Sequence, residues 1–312
     1  MTHAVFIDGA AGTTGLEIAD RLATRPEFEL ITLADDKRKD ASARRDALNA
    51  ADVAILCLPD DAARESVAMI DNNTTRVIDA STAHRTAAGW TYGFQELTGS
   101  DVVASAMRVS NPGCYPTGFL GLVAPLISAS MLPADRSYAV SAVSGYSGGG
   151  KALIERFHEE ADIGWRGYGL TLDHKHLAEM KAHAGLTQTP IFMPAVIRAH
   201  RGMVVQVPVA LDDSTVDAGA MRAALAQFYM GSNIVEVADA PADGEILLSE
   251  NAGPWDGMRL HVLGDESGHQ AMLVAVLDNL GKGASGAAVQ SLNLMAGLDE
   301  TAGLALGHAP TA

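Results

Sequence analysis

The sequence predicts an α/β protein with two domains: a Rossmann-like parallel sheet domain and an α+β domain with a mixed, mainly antiparallel sheet. Three observations lead to this prediction. Short apolar runs alternate with helical patterns in the first third of the chain, as in a doubly wound parallel sheet. A glycine-rich turn follows the first of these runs. Beyond about Asn111 the apolar runs lengthen, which favours a larger antiparallel sheet.

The first domain is expected to cover residues 1–112 plus 283–312, and the second domain residues 113–282. Apolar and β-branched runs predict strands of the first domain at residues 4–7, 28–33, 52–58, 76–79 and 102–104. Helical spacing predicts helices at 16–22 and 64–70, and a last helix at 285–298 that returns to this domain. In the second domain we expect helices at 117–127, 152–158 and 216–229, and a helix start near residue 173. Its strands are expected at 138–143, 203–211, 234–237, 259–263 and 270–277.

Size and charge exclude several classes of protein. The chain has 312 residues, enough for about two domains. Hydrophobic residues make up 48% of it and charged residues 19%, so we expect a sizeable core. The formal net charge of −16 argues against a nucleic-acid partner and against a polybasic membrane-surface protein. An anionic small ligand would therefore need a local pocket lined by cations or backbone N–H groups.

Targeting signals are not visible in the sequence. The N-terminal stretch MTHAVFIDGAAG has neither a basic segment nor a long apolar one, and no run of about 18 apolar residues follows. Two cysteines, Cys57 and Cys114, cannot form a disulfide framework. We therefore expect a cytoplasmic protein with reduced thiols.

Glycines follow the first predicted strand at a regular spacing. Gly9, Gly12 and Gly15 form G-x-x-G-x-x-G ahead of a helical pattern. Glycines let the backbone approach a pyrophosphate, whose charge meets the free N–H groups of the helix. Thr13 and Thr14 add hydroxyl groups there. The first spacing departs from G-x-G-x-x-G, and a simple tight turn is the alternative, but the position favours a dinucleotide loop.

The end of the second predicted strand bears on the choice of cofactor. Asp35 and Asp36 are followed by Lys37, Arg38 and Lys39. An acid there would bind a free ribose hydroxyl and favour NAD, whereas a base would bind a 2′-phosphate and favour NADP. We favour NADP because three cations come in succession, with Arg38 as the best candidate.

The two cysteines differ in their surroundings. Cys57 lies inside an apolar run and is expected to be a small buried side chain. Cys114 follows the turn Asn111-Pro112-Gly113 and precedes a predicted helix. A helix N-terminus stabilises a thiolate, so Cys114 is a candidate nucleophile. A thiol beside a nicotinamide can form a thioester that exchanges hydride with the cofactor.

Six stretches together resemble the N-acetyl-γ-glutamyl-phosphate reductase family of arginine biosynthesis, in its shorter, second type. They are FIDGAAGTTG, IDASTAHR, SNPGCYPTG, SGYSGGGK, DHKHLAEM and NLGKGASGAAVQSLNLM, and they span residues 6–296. SNPGCYPTG and KGASGAAVQ are specific to that family, whereas the glycine loop occurs in many dehydrogenases. The wider relatives include aspartate-semialdehyde dehydrogenase, with a similar two-domain plan and a cysteine nucleophile.

The resemblance implies a reaction and its catalytic residues. The Cys114 thiolate would attack an acyl phosphate, phosphate would leave, and NADPH would reduce the thioester to the semialdehyde. The family pattern H-x-H-x-x-E matches His174, His176 and Glu179. If these residues lie on a helix, His176 and Glu179 share a face, while the two histidines point to different sides. We expect His174 to be the acid/base, with His176 as the alternative.

The resemblance also implies binding residues. Ser81 and Arg85 match a stretch associated with the substrate phosphate, although Ala83-His84-Arg85 stands where the longer type has Asp-Phe-Arg. Arginines are suited to bind anions, and small residues allow a ligand to approach the backbone. The remaining candidates for the substrate are Asn111, Arg198 and Arg201, and those for the cofactor are Gly148, Gly283 and Ser285.

Partners and alternatives complete the expectations. We expect no metal, because H-x-H with a distant carboxylate is a poor zinc pattern. The resemblance implies a homodimer or homotetramer acting on a small acyl phosphate. Three alternatives stay open at this point: a reductase of another acyl phosphate, a non-catalytic NADP-binding sensor, and a cysteine hydrolase that would leave the glycine loop without a purpose.

Overall fold

The computed structural model describes residues 2–211, 216–307 and Ala309, and the chain divides into two compact units. The first unit comprises Met1–Pro112 and Ala284–Leu304, and the second comprises Gly113–Gly283, to which the chain returns at Ala305. The end of the chain was expected in the first domain instead. Two hydrogen bonds hold Ala305 in the second unit. Asp256 N donates to Ala305 O, and Ala305 N donates to the side-chain oxygen Asp256 Oδ2, both at 2.7 Å.

The strands follow one another along both units. In chain order they are β1 (His3–Asp8), β2 (Phe28–Ile31), β3 (Val53–Leu56), β4 (Arg76–Asp79), β5 (Thr91–Tyr92), β6 (Arg108–Ser110), β7 (Ala139–Gly145), β8 (Trp165–Gly167), β9 (Ile191–Ile197), β10 (Met203–Ala210), β11 (Val235–Val237), β12 (Met258–Gly264) and β13 (Gln270–Leu277).

The helices alternate with the strands in the first unit and are sparser in the second. They are α1 (Thr13–Leu22), α2 (Ala41–Ala50), α3 (Asp60–Met69), α4 (Gln95–Thr98), α5 (Ser100–Ser105), α6 (Cys114–Ser128), α7 (Gly150–Glu159), α8 (Leu177–His183), α9 (Ala218–Phe228) and α10 (Gly286–Met295). Short 3-10 turns cover Asp35–Lys37 and Tyr146–Gly149, and a π-helical turn, Gly281–Ser285, precedes α10. No helix among the described residues is long and apolar enough to cross a membrane.

The first unit is a doubly wound parallel sheet, which confirms the predicted fold class. Its strand order is β2-β1-β3-β4-β6-β5, and every pairing is parallel. Side chains alternate between two apolar layers, because successive strand residues point to opposite faces. Val5 packs with Ile18 and Leu292 on one face. Phe6 packs with Leu48 on the other, so helices cover both sides of the sheet.

One predicted strand is a helix. Residues 102–104 were expected to form a strand, but they lie in α5, and Arg108–Ser110 forms the strand instead. Val103 is fully buried in the same apolar cluster as Val289 and Leu292 of α10. Packing against a neighbouring helix therefore determines this segment, and a run of three apolar residues carries no period that could reveal it.

The second unit is built on a mixed sheet with the order β11-β12-β13-β10-β7-β9-β8, as the sequence predicted. Most of its pairings are antiparallel, and β7–β9 and β11–β12 are parallel. Helix α6 packs on one face, where a methyl group at Gly118 would lie 2.7 Å from Val205. This close approach of helix and sheet fixes the position of the N-terminal end of α6.

Candidate active site

Cys114 is the first residue of α6 and is partly exposed. The turn before it places the thiol at the N-terminal end of the helix, where backbone N–H groups favour negative charge. Gly113 is the N-cap residue, and its N–H donates to Glu179 Oε2 at 3.1 Å. Glu179 is itself buried at 1% exposure. The predicted Glu179 therefore acts on the backbone that carries the thiol.

Gly283 lies directly against Cys114. A methyl group built on Gly283 would lie 2.8 Å from Cβ and 3.3 Å from Cα of Cys114. Its N–H donates to the carbonyl of Asp278 at 3.0 Å, which holds the π-helical turn in place. The absence of a side chain at Gly283 is therefore what admits Cys114 at this position. Gly283 was predicted to lie near the cofactor, and in the structure it adjoins Cβ and Cα of Cys114.

The two histidines lie next to each other before helix α8, not on it. The helix begins at Leu177 with His176 as N-cap, so the expected separation of His174 and His176 to different sides is wrong. Their ring centroids are 4.7 Å apart, and each ring lies near Tyr115, at 6.4 and 6.0 Å. Leu177 N donates to His174 O, which forms the turn that brings the rings together.

The electrostatic surroundings of the two histidines differ. His174 is partly exposed, and desolvation together with the charge of Lys175 lowers its pKa to about 4. Its Nδ1 accepts the backbone N–H of His176 at 3.2 Å. The ring proton of neutral His174 is therefore on Nε2. His176 is buried at 6% exposure, and its Nε2 lies 3.9 Å from Glu179 Oε1.

Tyr115 and Tyr168 lie near the two histidines. Tyr168 was not among the predicted site residues. The two tyrosine side chains are hydrogen-bonded to each other, and Tyr115 also donates to Ala195 O at 2.8 Å. Burial, and to a smaller extent the charge of Cys114, raises the pKa of Tyr168 to about 12. The Tyr168 and His174 rings are 5.5 Å apart. Tyr168 lies in no motif, so no sequence signal could have found it.

The glycine loop of the first unit has the geometry of a nucleotide-binding turn. Gly9 adopts a φ of +92°, and a methyl group there would collide with the carbonyl of Cys57. A methyl group on Gly15 would lie 2.6 Å from Gly9 O. Gly12 is the N-cap of α1, and Thr13 Oγ1 is buried without a hydrogen-bond partner among the described residues. An open donor at a helix N-terminus fits a phosphate.

A cleft of about 570 Å³ adjoins this loop. Its lining includes Gly9, Asp35, Arg38 and Lys39, so acidic and basic side chains meet at its rim. Arg38 is exposed and pairs with Asp35 at 2.7 Å. Thr14 lies in the first turn of α1 and is partly buried. The cleft has the size and polarity for part of a dinucleotide.

Cys57 contrasts with Cys114. It directly follows β3 and packs, partly buried, against the apolar core of the first unit. Desolvation, and then the negative charges of Asp79 and Asp8, raise the pKa of Cys57 to about 12. Its thiol is therefore protonated and unreactive at neutral pH.

The loop after β4 carries the first group of predicted substrate residues. Ser81 donates its hydroxyl to Asp79 Oδ2 at 2.7 Å, so this hydroxyl is engaged within the loop. Arg85 is buried and donates Nε–H to Asn111 O at 3.0 Å. Asn111 donates its amide to Ala284 O at 3.0 Å, while its Oδ1 is buried without a partner among the described residues. Arg85 and Asn111 thus lie together.

Arg198 and Arg201 are engaged in structural contacts. Arg198 donates to the carbonyls of Ile163, Phe157 and Glu160 at 3.1, 3.0 and 2.8 Å, and two of these carbonyls belong to the C-terminal end of α7. Arg201 pairs with the fully buried Asp278 at 2.7 Å. Both guanidinium groups are therefore bound by other groups of the protein, which is a structural role that needs no substrate.

Gly148 and Ser285 complete the predicted set. Gly148 lies beside Asn279, whose Oδ1 is buried and has no hydrogen-bond partner in the part of the chain that the structure describes. The amide of Asn279 donates to Ser147 Oγ at 2.9 Å. Ser285 is fully buried at the start of α10.

Within the described ranges no group of His, Cys, Asp and Glu is arranged to hold a metal ion.

Two family models match the chain. A model described as the semialdehyde dehydrogenase NAD binding domain matches residues 4–105, and one described as the semialdehyde dehydrogenase dimerisation domain matches residues 114–279. Among solved structures, an aspartate semialdehyde dehydrogenase II from Vibrio cholerae has a TM-score of 0.71 at 17% identity, covering 95% of this chain and 98% of that one. An aspartate semialdehyde dehydrogenase from Francisella tularensis also has a TM-score of 0.71, at 13% identity, over 95% and 100%. These structures share the fold.

Curated relatives are much closer in sequence. A protein from Nostoc sp. named N-acetyl-gamma-glutamyl-phosphate reductase 2 is 48% identical over 96% of this chain and 98% of its own. A Sinorhizobium fredii protein named N-acetyl-gamma-glutamyl-phosphate reductase is 49% identical over 95% and 99%. With Cys114 at the start of α6 and a nicotinamide-nucleotide domain before it, the chain belongs to the N-acetyl-γ-glutamyl-phosphate reductase family.

Proposed function

We propose that this protein reduces N-acetyl-γ-glutamyl phosphate to N-acetylglutamate semialdehyde and phosphate, with NADPH as reductant. The observation that carries the proposal is the thiol Cys114 at the N-terminal end of α6, in a chain 48–49% identical to reductases named for this substrate over nearly its whole length. The position suits a thiolate nucleophile.

Cys114 is assigned the covalent step. Its sulfur attacks the acyl carbon, the bond from that carbon to the phosphate oxygen breaks, and inorganic phosphate leaves a thioester on Cys114. When bound, a nicotinamide cofactor would supply the hydride that reduces the thioester carbonyl carbon. The C–S bond of the reduced adduct then breaks, which returns the thiolate and releases the aldehyde. Gly113 and Glu179 hold the backbone that aims the sulfur.

His174 is assigned the acid role. Its neutral ring carries the proton on Nε2, because Nδ1 accepts the His176 N–H. That N–H can donate to the substrate carbonyl oxygen as negative charge develops there. His176 is buried beside Glu179, which favours a role in positioning the segment. His174→Gln is expected to lower kcat far more than His176→Gln, and the reverse result would exchange the two roles.

The polar groups present suit a nicotinamide dinucleotide. Thr13 Oγ1 and the N-terminal end of α1 offer open donors to a pyrophosphate. Asn279 Oδ1, buried and without a partner among the described residues, offers an acceptor to a carboxamide beside Gly148. We assign Arg38 to the 2′-phosphate of NADP. Arg38→Ala is expected to raise the KM for NADPH about tenfold and to leave the KM for NADH unchanged.

A steady-state assay with N-acetylglutamate semialdehyde, phosphate and NADP tests the reaction. Wild-type protein and the control Cys57→Ser are expected to turn over, forming NADPH in excess of enzyme, only when phosphate is present, whereas Cys114→Ser is expected to be inactive. Retained phosphate-dependent activity in Cys114→Ser would contradict the proposal. A parallel assay replaces N-acetylglutamate semialdehyde with aspartate semialdehyde. Faster NADPH formation with aspartate semialdehyde would indicate a reductase of another acyl phosphate.

A homodimer through the second unit is part of the proposal. One face of its sheet is covered by α6, while Trp165, Ile191 and Met193 project from the opposite face with 64, 48 and 49% of their surface exposed. Such a patch on a stable protein marks an interface, and a family model described as a dimerisation domain covers these residues. Met193→Asp is expected to yield monomers in analytical ultracentrifugation, and Leu247→Asp, at an exposed loop position, to leave the assembly intact.

A further inference from the structure

Arg166, in strand β8, is a partly buried cation that the reaction described above does not use. Its guanidinium lies 4.9 Å from the centre of the Tyr168 ring. It makes no hydrogen bond and no ion pair with any residue that the structure describes. A guanidinium keeps its charge and offers several N–H donors. When it is partly desolvated without acceptors of its own, an anionic ligand is favoured beside it.

The other arginines of the second unit are engaged by the protein itself. Each donates to backbone carbonyls or pairs with a carboxylate: Arg136 with Ala210 O, Arg156 with Glu160, Arg198 with three carbonyls, Arg201 with Asp278, Arg222 with Asp239 and Arg259 with Glu236. Among the arginines that the structure describes in this unit, Arg166 alone is therefore available to a ligand.

Strand pairing places Arg166 on the face of the sheet that lies toward the nucleophile. Arg166 is opposite Val196 of the antiparallel neighbour β9, and directly opposed residues of such a pair point to the same face. Phe192, four residues earlier on β9, shares that face. Its ring lies 5.1 Å from Tyr115 and 5.2 Å from His174. Arg166 is therefore on the same face as the aromatic and imidazole rings of the candidate active site.

The distances suit a substrate whose acyl carbon is bound to Cys114. The Arg166 guanidinium and the His174 ring lie 4.9 and 5.5 Å from the centre of one ring, that of Tyr168, so they are no farther apart than the sum of these distances. In an N-acetylglutamyl group the α-carboxylate is four bonds from the acyl carbon, about 5 Å in an extended chain. A hydrogen bond to a guanidinium adds about 3 Å. An acyl carbon beside His174 therefore brings the α-carboxylate within reach of Arg166.

We propose that Arg166 binds the α-carboxylate of the substrate and that the ring of Tyr168 positions the guanidinium for this contact. The planar fork of an arginine matches a carboxylate in a bidentate pair, and an aromatic ring beneath a guanidinium holds it in place. The carboxylate is thereby a determinant of substrate choice. The assignment rests on the proposed function, which supplies the substrate, and it uses residues of the second unit only.

Two aldehydes that differ only in the carboxylate test the assignment in the direction of NADP reduction. They are N-acetylglutamate semialdehyde and 4-acetamidobutanal, which lacks the α-carboxylate. Arg166→Met is expected to lower kcat/KM about 30- to 100-fold with the first aldehyde and less than about threefold with the second. Arg166→Lys, which keeps the charge without the planar fork, is expected to lower the first value about tenfold. A purely structural role of Arg166 would lower both values alike.

Arg222→Met is the matched control, because it removes a cation of the same unit that pairs with the exposed Asp239. It is expected to change either kcat/KM by less than about twofold. Tyr168 is tested through the ratio of the two kcat/KM values, from which a general loss of activity cancels. Tyr168→Phe, which keeps the ring, is expected to preserve this ratio, and Tyr168→Leu to lower it about three- to tenfold.

Protection of Cys114 from iodoacetamide gives the same comparison without turnover. Cys57→Ser leaves Cys114 as the one thiol, and the ligands are N-acetylglutamate and 4-acetamidobutanoate, which lacks the α-carboxylate. N-acetylglutamate is expected to protect at a concentration about tenfold lower, and Arg166→Met to abolish this preference. A preference that survives Arg166→Met, or one that is absent from the wild type in both assays, would overturn the proposal. A protein that turns over neither aldehyde but shows the preference in protection would refute the proposed function and still support Arg166 as the carboxylate site.

Discussion

Adding one methyl group at Gly283 should displace the nucleophile. In Gly283→Ala the new Cβ would lie 2.8 Å from Cβ of Cys114, 3.1 Å from the carbonyl oxygen of Asp278 and 3.3 Å from Cα of Cys114. Ordinary contacts of a Cβ lie between 3.4 and 4 Å, so the first of these is short by at least 0.6 Å. Because Cys114 begins a buried helix, the strain cannot be relieved by rotating an exposed side chain.

The consequence for catalysis follows from this displacement. Catalytic groups must keep their positions within about 0.5 Å, and a misplacement of about 1 Å costs on the order of 100-fold in rate. We expect kcat of Gly283→Ala to fall about 10- to 100-fold. Overpacking of this kind costs about 1–3 kcal/mol in the free energy of unfolding, so the variant should still fold.

Two measurements read this displacement directly. The first is kcat for phosphate-dependent NADP reduction, and the second is the rate at which iodoacetamide alkylates Cys114, with Cys57→Ser as background to remove the other thiol. Gly164→Ala is the matched control, because a methyl group there meets no atom within 4 Å. A Gly283→Ala protein that retained the kcat and the alkylation rate of wild type would show that the methyl group does not displace Cys114.

Three further expectations concern stability. Arg198→Met removes three hydrogen bonds to backbone carbonyls and should lower the free energy of unfolding by about 2–3 kcal/mol, while the KM for substrate stays within twofold. A large rise in that KM with unchanged urea unfolding would instead assign Arg198 to the substrate. Arg201→Ala leaves Asp278 buried without its cation and should cost about 3–5 kcal/mol, partly recovered by adding Asp278→Asn; an additive double variant would argue against the pairing. The pKa of His174 falls from 6.5 to about 4 on folding, so the unfolded chain binds a proton that the folded protein does not. Wild type should therefore lose stability relative to His174→Asn as the pH falls from 6.5 to 4, and parallel urea-unfolding profiles would contradict this.

The fold was predictable because its signals are local and periodic. The run at Val53–Leu56 is apolar throughout, as a strand covered on both faces requires, and the glycines at 9 and 15 are each required by a close backbone approach. The segment 102–104 was not predictable. Its conformation depends on packing against α10, which lies far away in sequence.

The candidate site was predictable only where a motif carried it. Cys114 and Glu179 lie in stretches that carry the family resemblance, and the structure joins them through the N–H of Gly113. Tyr168 belongs to no motif, and tertiary structure alone brings its hydroxyl to Tyr115. The error over His174 and His176 arose from assuming helical geometry in residues that precede the helix.

The central claim is that Cys114 carries the acyl group during the reaction. The most direct measurement is intact-protein and peptide mass spectrometry after acid quench of enzyme mixed with N-acetylglutamate semialdehyde and NADP in the absence of phosphate. We expect NADPH formation stoichiometric with enzyme and an N-acetylglutamyl group on the peptide containing Cys114. Phosphate added before the quench should remove that group. An enzyme that turns over in the presence of phosphate while Cys114 stays unmodified in its absence, or an acyl group found on another residue, would show that Cys114 does not carry the acyl group.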